Sequence, residues 1–302
     1  MELLSELGAL IARHCRNGRV EPAIPGMILH RSETVTQTNP GIYEPRLCVV
    51  AQGRKRVILG ERLYEYDAAK YLVVSVDLPV VAAVVDASRE TPYLAFSMRL
   101  DPAALAALAL DMPVNDGAQR PASGLAVSPL TDELLEACVR LLRLLDRPRD
   151  IAMLAPLAER EILYRLMLGE QSAMLRQIAR ADSRLSQVAR AIGWIRENYD
   201  KPLRIEALAE MAGMSPSSFH RHFKAVTAMS PLQFQKRMRL QEARRRVLAQ
   251  GAAAARIGFS VGYESPSQFC REYSRLFGVP PGRDAARLRG SASAPRELAQ
   301  PL

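Results

Sequence analysis

Two short segments of the chain carry side chains that can bond to nucleic acid. The segment SPSSFHRHFK at 215–224 recurs as SPSQFCREYS at 265–274, with Ser, Pro, Ser, Phe and Arg at matching positions. A guanidinium group can bond both acceptors of guanine, and hydroxyl, imidazole or amine groups can bond base edges or phosphates. The repeated polar groups therefore indicate contact with nucleic acid, provided that the fold presents them outward.

Helices must position these groups. In each copy the first Ser lies where an N-cap belongs, and the Pro after it suits the first helical position. A turn glycine precedes each copy, Gly213 and Gly262, and a short helix-forming run precedes each glycine. Helix, glycine turn and capped second helix form a helix-turn-helix pattern, predicted at about 205–226 and again at about 252–277.

The two faces of each second helix differ in character. Aromatic residues four positions apart, Phe219 with Phe223 and Phe269 with Tyr273, predict a buried stripe. The opposite face carries Ser217, His220, Arg221 and Lys224 in the first copy, and Ser267, Cys270, Arg271 and Ser274 in the second. Such a face is commonly ordinary solvated surface, but the second helix of this motif is the element that enters a major groove.

A basic amphipathic segment at 231–250 joins the two motifs. It predicts one helix of about 19 residues that spans roughly 28 Å. Successive major grooves on one face of B-DNA lie about 34 Å apart. The two second helices could therefore enter neighbouring grooves, while the arginines of the linker helix contact the phosphate backbone.

The segment 188–290 resembles the AraC/XylS-type DNA-binding domain of bacterial transcription regulators. The resemblance rests on IEALAEMAGMSPSSFHRHFKAVTAMSP, the linker helix and VGYESPSQFCREYSRLFGVPPGR. It implies sequence-specific binding to double-stranded DNA across two adjacent major grooves. The base-reading residues that it implies are Ser217, His220, Arg221, Ser267, Gln268 and Arg271. Contacts to the DNA backbone are expected from Ser215, Ser218, Lys224 and Ser265.

Charge is distributed unevenly along the 302 residues. Residues 187–290 contain 18 Lys/Arg and 8 Asp/Glu, a net charge of +10, whereas residues 1–186 contain 22 Lys/Arg and 23 Asp/Glu. A basic surface alone fits nucleic acid, an anionic membrane or solubility, but its confinement to the paired motifs favours nucleic acid. Salt-sensitive DNA binding is expected.

Cysteine usage and hydropathy indicate the compartment. Cys15, Cys48, Cys138 and Cys270 are widely spaced and form no metal or disulfide pattern, as in proteins of a reducing cytosol. Redox sensing by Cys48 is a minor alternative. The N-terminus lacks a signal-peptide core, and no run of 18 apolar residues occurs. We expect a bacterial cytoplasmic protein without membrane contact, associated with the nucleoid when bound to DNA.

The first half of the chain, 1–170, predicts an α+β domain that begins with a short amphipathic helix. Strands are expected at about 21–100, because seven runs rich in Val, Ile, Tyr and Leu alternate with breakers such as Asn39-Pro40-Gly41. Gly60-Glu61 suits a hairpin turn between two of the runs. The pattern predicts an antiparallel barrel or sandwich.

Helices are expected at about 102–168. Asp101-Pro102, Ser128-Pro129 and Asp150 are the predicted helix starts, and 111–127 is predicted as a mobile loop. A wide apolar stripe suits either core packing or a homodimer interface, and it comprises Leu134, Leu135, Val139, Leu142 and Leu145.

Two further segments complete the predicted organisation. Residues 171–187 are expected to link this domain to the all-α DNA-binding domain, which holds two helix-turn-helix motifs joined by the linker helix. Residues 291–302 are expected to form a flexible tail.

The segment YEPRLCVVAQGRKRVILGERLYEYDAAKYLVVSVDLPV is similar to the N-terminal domain of AraC-type regulators, a cupin-like barrel that holds the effector. Both halves together imply a transcription regulator that activates genes in response to a small molecule. A homodimer and contact with RNA polymerase are also implied. Strand alternation leaves five candidate side chains facing either the interior or the solvent, so no effector residue is assigned; they are Arg46, Arg54, Arg56, Tyr64 and Tyr66.

Enzyme classes fit the sequence poorly. A metal-dependent cupin needs two or three His with a carboxylate, but only His30 is available to the strands. A repair methyltransferase would need an activated acceptor Cys, and neither Cys15 nor Cys48 has such a setting. No P-loop, GxSxG or HExxH sequence occurs, and no cofactor, metal or catalytic residue is expected. The alternatives left open are control by a partner protein instead of a ligand and, remotely, a cupin-type enzyme fused to a DNA-binding domain.

Overall fold

The computed structural model describes residues 2–113, 123–250 and 254–290. The chain begins with helix α1 (Glu2–His14), whose buried residues include Leu7, Leu10 and Ile11. These apolar side chains recur at helical spacing and pack against a β-sheet, so the predicted amphipathic N-terminal helix is confirmed.

Two antiparallel sheets follow, with strands numbered along the chain. The six-stranded sheet has the order β1 (Gly18–Val20), β2 (Met27–Ser32), β9 (Tyr93–Arg99), β4 (Arg46–Gln52), β7 (Lys70–Val74) and β10 (Leu125–Pro129). The four-stranded sheet has the order β3 (Asn39–Tyr43), β8 (Leu78–Asp86), β5 (Arg54–Leu59) and β6 (Arg62–Asp67). Burial alternates along β5, which is typical of a strand with one face toward the core.

The predicted hairpin is confirmed. Leu59 at the end of β5 pairs with Arg62 at the start of β6, with Gly60-Glu61 between them. Gly60 has a φ of +62°, in the region that glycine adopts without steric cost. This hairpin sets the register of β5 against β6, and so it decides which of their side chains face the other sheet.

Strand β3 corrects one prediction. Asn39-Pro40-Gly41, predicted as a break, lies within this strand and pairs with β8. β3 is an edge strand of its sheet, and an edge position tolerates a proline because one side of the strand needs no ladder donor.

Strand β10 corrects two more predictions. Part of the predicted loop at 111–127 and the predicted helix start at Ser128-Pro129 both belong to this strand, which pairs with β7 over its whole length. The following helix begins later, after Thr131, whose hydroxyl accepts a hydrogen bond from the amide of Leu134. Pairing with β7 decides the conformation, because tertiary contacts override the local signal of a short segment. Residues 114–122 of the predicted loop lie outside the described residues.

Four helices follow β9 in this half, and they pack mainly against one another and against α1. They are α2 (Pro102–Leu110), α3 (Asp132–Arg143), α4 (Ile151–Leu168) and α5 (Ser172–Ala179). Asp101 caps α2 by accepting a 2.9 Å hydrogen bond from the amide of Ala103, as predicted. Asp150 precedes α4, also as predicted, but its side chain makes no capping hydrogen bond.

The C-terminal half is helical. Its elements are α6 (Arg184–Glu197), α7 (Ile205–Met211), α8 (Pro216–Thr227), α9 (Pro231–Gln250), α10 (Ala254–Ser260), α11 (Pro266–Phe277) and α12 (Pro281–Gly290). The predicted linker at 171–187 contains α5 and the first turn of α6, so much of it is helical. The predicted tail at 291–302 lies outside the described residues.

Two apolar cores support this half. Phe219, Phe223 and Phe234 belong to the same buried cluster as the apolar residues of the two sheets. A second cluster contains Phe269 and Tyr273 together with the C-terminal part of α9. The first helix-turn-helix motif therefore shares its core with the two sheets and helices α1 to α5, which together we call the β-domain. The second motif has a core of its own.

Candidate nucleic-acid interface

Helix α8 begins where the sequence predicts. Ser215 caps it by accepting a hydrogen bond of 3.4 Å from the amide of Ser218, and Pro216 occupies the first helical position. Gly213 has a φ of +63°, which forms the turn between α7 and α8. The first helix-turn-helix pattern is therefore confirmed as a structure.

Helix α11 repeats this arrangement. Ser265 accepts a hydrogen bond of 3.4 Å from the amide of Gln268, and Gly262 has a φ of +89°. A Cβ atom at Gly262 would lie 2.4 Å from the carbonyl oxygen of Asp200, so this turn also needs glycine for space. A Cβ atom at Gly258 would lie 3.0 Å from the Phe269 ring, and the two helices of the second motif approach closely there.

Aromatic contacts fix the inward face of each helix. The ring centroids of Phe219 and Phe223 lie 5.4 Å apart, and Phe223 meets Phe234 of α9 edge to face at 5.4 Å. In α11 the Phe269 and Tyr273 rings are 5.5 Å apart. These rings are fully buried, so each helix can present only its opposite face to DNA.

The predicted DNA-contacting residues all lie at the surface. In α8 and its cap, Ser215, Ser217, His220, Arg221 and Lys224 are exposed and Ser218 is half-buried. In α11 and its cap, Ser267, Gln268 and Arg271 are exposed and Ser265 is half-buried. Each set shares one face of its helix, as the helical spacing requires.

The two arginines of these outer faces differ from Arg244 and Arg246 of α9, which pair with Asp284 and Glu242. Among residues 2–113, 123–250 and 254–290, neither Arg221 nor Arg271 forms an ion pair. An exposed guanidinium without a carboxylate partner can bind base edges without first breaking an internal bond.

Gln268 is engaged with a neighbour that sequence reasoning missed. Its amide donates a 3.2 Å hydrogen bond to Glu272, which also accepts bonds from Lys236 at 2.9 Å and from the Tyr263 hydroxyl at 2.8 Å. Burial raises the pKa of Glu272, but these hydrogen bonds outweigh burial and leave its pKa below the ordinary value. The first repeat has His222 at this position, so the repeat pattern alone offered no signal for a carboxylate.

The arginines of α9 have structural partners. Arg239 donates to the carbonyl oxygens of Tyr199 at 2.6 Å and Gly262 at 2.7 Å. Arg244 pairs at 2.9 Å with Asp284, whose side chain is fully buried. These bonds hold α9 to the turn before α11 and to α12, which differs from the expected role of these residues in phosphate contact.

Helix α9 also contacts the barrel through β3. The side-chain amide of Gln241 donates a 2.8 Å hydrogen bond to the carbonyl oxygen of Gly41, and Arg244 donates a 2.7 Å bond to Oδ1 of Asn39. The helix between the two motifs therefore binds an edge strand of the β-domain directly.

A second contact joins the first motif to the barrel. The amide of Gly124 donates a 2.8 Å hydrogen bond to the carbonyl oxygen of Val226, near the C-terminus of α8. Arg196 of α6 pairs with Asp77 at 2.8 Å and with Glu44 at 2.9 Å. The β-domain thus holds both the first motif and the linker helix.

The structure orients the five strand side chains whose direction the sequence left open, some toward the protein interior and some toward solvent. Arg46 and Tyr66 are buried, Tyr64 is half-buried, and Arg54 and Arg56 are exposed. Sequence reasoning missed three buried polar side chains between the sheets, Tyr43, Tyr93 and Lys55, which lie beside the half-buried His30 that it had placed on the strands. The alternation of side chains along β5 could have indicated that Lys55 is buried, because Val57 and Leu59 lie on the same face of the strand.

The apolar stripe of α3 lies in the core, which removes it as a surface for a second subunit. Leu134, Leu135, Val139, Leu142 and Leu145 are all buried within the chain. Helix α4 instead exposes apolar side chains; Met153 is 76%, Leu157 63% and Leu168 57% exposed.

The cysteine considered as a redox sensor lies in the core. Cys48 is buried, and burial raises the pKa of its thiol, which lowers the thiolate fraction that oxidation requires. Within the described part of the chain, no three His, Cys, Asp or Glu side chains group as metal ligands.

Over the same residues, no helix has the length and apolar character needed to cross a bilayer.

Comparison with known proteins identifies both halves. Residues 23–174 match the family described as AraC-type transcriptional regulator N-terminus, and residues 208–287 match a helix-turn-helix domain family. The HTH-type transcriptional activator RhaS of Escherichia fergusonii is 29% identical over 140 residues, 44% of this chain and 49% of that protein. RhaS of Salmonella schwarzengrund is 26% identical over 163 residues, 52% of this chain and 58% of that protein. The chain thus spans about half the length of the curated relatives it matches.

Solved structures show the same two-domain fold. ToxT from Vibrio cholerae O395, bound to (E)-4-(8-methylnaphthalen-1-yl)but-3-enoic acid, has a TM-score of 0.56 at 10% identity, over 86% of this chain and 97% of that chain. ToxT from Vibrio cholerae strain SCE256, bound to an unsaturated fatty acid, has a TM-score of 0.54 at 8% identity, over 90% and 99% of the two chains. With the family match over residues 23–174, the paired helix-turn-helix motifs and this fold, the chain belongs to the AraC-type transcriptional regulators.

Proposed function

We propose that this protein regulates transcription by reading two adjacent major grooves of double-stranded DNA with α8 and α11. The observation that carries this proposal is the pair of capped helices at the two ends of the 20-residue helix α9, each with an exposed arginine on its outer face. A helix of that length spans about 30 Å, close to the spacing of successive grooves.

Each residue has a distinct role in this proposal. Ser217, His220, Arg221, Ser267, Gln268 and Arg271 read bases, and Ser215, Ser218, Lys224 and Ser265 bind the DNA backbone. Arg221 and Arg271 suit the O6 and N7 acceptors of guanine, at about 1–3 kcal/mol of discrimination each. Gln268 must exchange its bond to Glu272 for a base, so the second helix is the weaker reader.

Footprinting of the full-length chain on DNA selected from a random pool tests this role. Two protected blocks about one helical turn apart on one face of the duplex are expected, with affinity that falls steeply as salt rises. A single protected block, or protection without sequence preference, would contradict reading by both helices.

The β-domain is proposed to bind a small-molecule effector between its two sheets. The similar fold of ToxT, which was solved with small molecules bound, supports this role. An effector there would act on DNA binding through β3, because β3 both borders the barrel interior and contacts α9. The coupling would be reciprocal, so DNA would change effector affinity by the same factor. A partner protein that occupies the β-domain is the competing form of control, and equal effector affinity with and without DNA would favour it.

The remaining parts of the proposal follow from the family. Activation, with RNA polymerase as a partner, is inferred because the curated relatives are named transcriptional activators. The proposed units are the effector domain at 1–170, a connection at 171–187 and the DNA-binding domain at 188–290. We place the protein in the bacterial cytoplasm, on the nucleoid when DNA is bound, and no catalytic step is part of the proposal.

A homodimer is proposed through α4. Met153, Leu157 and Leu168 are exposed on this helix, whereas the apolar residues of α3 are buried beneath it. An exposed row of large apolar side chains on a helix suits contact with the same helix of a second copy.

A further inference from the structure

Six polar side chains meet between the two sheets of the β-domain. We name this group the interior polar cluster, and it consists of His30, Tyr43, Arg46, Lys55, Tyr66 and Tyr93. It contains residues from both sheets, since Lys55 is paired with Tyr66 across β5 and β6, while His30 of β2 contacts Tyr93 of β9 at a ring distance of 5.3 Å. The ammonium of Lys55 lies 5.5 Å from the centre of the Tyr43 ring.

The cluster is buried but poorly satisfied. Tyr43, Tyr66 and Tyr93 are 0% exposed, and among the described residues their hydroxyl groups have no well-formed hydrogen bond, only a contact of Tyr66 with each of the other two. The Nε atom of Arg46 has no hydrogen-bond partner among the described residues either, although its Nη1 donates a 2.9 Å hydrogen bond to Ser97. Each buried polar group left unpaired costs about 1–3 kcal/mol. Phenylalanine would fill nearly the same space without burying three hydroxyl groups that have mainly one another as neighbours, so packing alone does not explain them.

The cluster also carries uncompensated positive charge. Lys55 is 4% exposed and Arg46 is 5% exposed. Within the described ranges no carboxylate forms an ion pair with either of them, and the neighbouring ionisable groups that act on Lys55 are Cys48, Arg19 and Arg46. The pKa of Lys55 is lowered to about 8, first by burial and then by the charges of the two arginines, against an opposing effect of Cys48. At neutral pH the ammonium is therefore mostly protonated, and a buried cation of this kind needs an anion.

Donors outnumber acceptors in the cluster. An ammonium and a guanidinium only donate hydrogen bonds, and each phenol has a proton to donate. The group that satisfies them must supply several acceptor oxygens and a negative charge, which a carboxylate does in its ionised form. The tyrosine rings add apolar surface around these donors, which suits an organic group better than a small hydrated ion.

We propose that the effector is a small organic carboxylate, held between the sheets by Lys55 and Arg46 and by the hydroxyl groups of Tyr43, Tyr66 and Tyr93. The proposal rests on the proposed function, in which the β-domain binds an effector. Tyr43 belongs to β3, the strand that contacts α9 through Gly41. A carboxylate bound to Tyr43 would therefore act on the strand that touches the DNA-binding half.

Calorimetric titration of the full-length chain with matched pairs of acids and amides tests the proposal. The probes are hexanoate, phenylacetate and cinnamate, each beside its neutral amide, which keeps the shape and removes the charge. We expect at least one acid to bind, and its amide to bind at least about tenfold more weakly. Lys55→Met should weaken binding of the acid by a similar factor. Lys70→Met, at a half-exposed lysine paired with Asp67, should leave it unchanged.

Protein stability serves as the folding control. Lys55→Met removes a buried charge, so its melting temperature without ligand should equal or exceed that of the wild type. If none of the acids binds, if acid and amide bind equally, or if a folded Lys55→Met variant binds the acid like the wild type, the proposal is overturned. The titration contains no DNA, so a negative result would overturn the carboxylate proposal without bearing on DNA binding. A negative footprinting result would overturn the proposed DNA reading without bearing on effector binding.

Discussion

The side-chain amide of Gln241 donates a 2.8 Å hydrogen bond to the carbonyl oxygen of Gly41, 200 positions earlier in the chain. Gln241 lies on the helix between the two helix-turn-helix motifs, and Gly41 lies on an edge strand of the barrel. Two residues after Gly41, the side chain of Tyr43 is fully buried and its hydroxyl group contacts that of Tyr66. One short strand therefore joins the barrel interior to the helix that spaces the two recognition helices.

Removing the Gln241 side chain should loosen β3. We expect Gln241→Ala to cost about 0.5–1.5 kcal/mol at this contact, so amide exchange in 39–43 should become roughly two- to tenfold faster. Hydrogen-exchange mass spectrometry measures the change. Gln233→Ala is the matched control, because Gln233 lies on the same helix and its side chain accepts a hydrogen bond from the amide of Ser230, outside β3. Equal exchange in 39–43 for wild type and Gln241→Ala would show that the contact does not hold the strand.

Arg221 and Lys224 should affect DNA binding differently. Arg221→Ala should relax base preference at one position by about 1–3 kcal/mol, because a guanidinium reads two guanine acceptors. Lys224→Ala should weaken all sequences about equally and reduce the salt dependence, as expected for a phosphate contact. Competition binding on a set of single-base operator variants separates the two effects. The same uniform loss from both substitutions would refute the division of roles.

The two turn glycines should differ in their tolerance of alanine. Gly213 has a φ of +63° with open space around a Cβ position, so Gly213→Ala should cost only about 1 kcal/mol for the backbone conformation. Gly262→Ala would add a clash at 2.4 Å with the Asp200 carbonyl oxygen and should cost about 3 kcal/mol or more. Urea unfolding measures both variants, and similar losses would show that the turn before α11 can relax.

His30 should make the protein sensitive to acid. The pKa of His30 is lowered to about 3, first by burial and then by the charges of Lys55 and Arg19. The unfolded chain, with an ordinary pKa of about 6.5, then binds more protons between pH 3 and 6.5, so stability is lost as pH falls through this window. Between about pH 6.5 and pH 5, the loss from this group is about 2 kcal/mol.

The variant His30→Phe should lack this part of the acid sensitivity. Its unfolding free energy should fall about 2 kcal/mol less than that of the wild type over the same pH range. His220→Gln, at the exposed face of α8, should follow the wild type and is the control. An unchanged pH dependence in His30→Phe would mean that His30 is protonated in the folded protein.

The exposed face of α4 should control assembly. We expect the wild type to be a dimer and Leu157→Glu to be a monomer of unchanged fold, because Leu157 is 63% exposed and makes little internal packing. Leu232→Glu, at a leucine that is 61% exposed on α9, is the matched control and should remain dimeric. Sedimentation equilibrium distinguishes the outcomes. A dimeric Leu157→Glu variant, or a monomeric wild type, would contradict the proposed interface.

Local signals predicted the parts of the site that depend on neighbouring residues. Ser215 and Ser265 cap their helices as expected, and Gly213 and Gly262 adopt the positive φ that their turns require. N-caps and glycine turns are determined within a few residues, so the chain sequence is enough to place them.

Tertiary contacts decided the parts that sequence did not predict. Pro40 lies in a strand because β3 has only one neighbouring strand, and 125–129 forms a strand because β7 offers it a partner. Arg239 resembles a phosphate contact in sequence, yet carbonyl groups distant in the chain take its donors. Burial of Lys55 had a signal in the sequence, because alternation along β5 places it on one face with Val57 and Leu59.

Both recognition helices are proposed to read sequence, and this role can be tested by capturing the DNA that the protein binds in cells. Fragments bound by the full-length wild type, Arg221→Ala and Arg271→Ala would be sequenced and compared. We expect wild-type sites with two short conserved blocks about one helical turn apart, with one block lost in Arg221→Ala and the other in Arg271→Ala. Wild-type fragments without shared sequence, or loss of the same block in both variants, would contradict it.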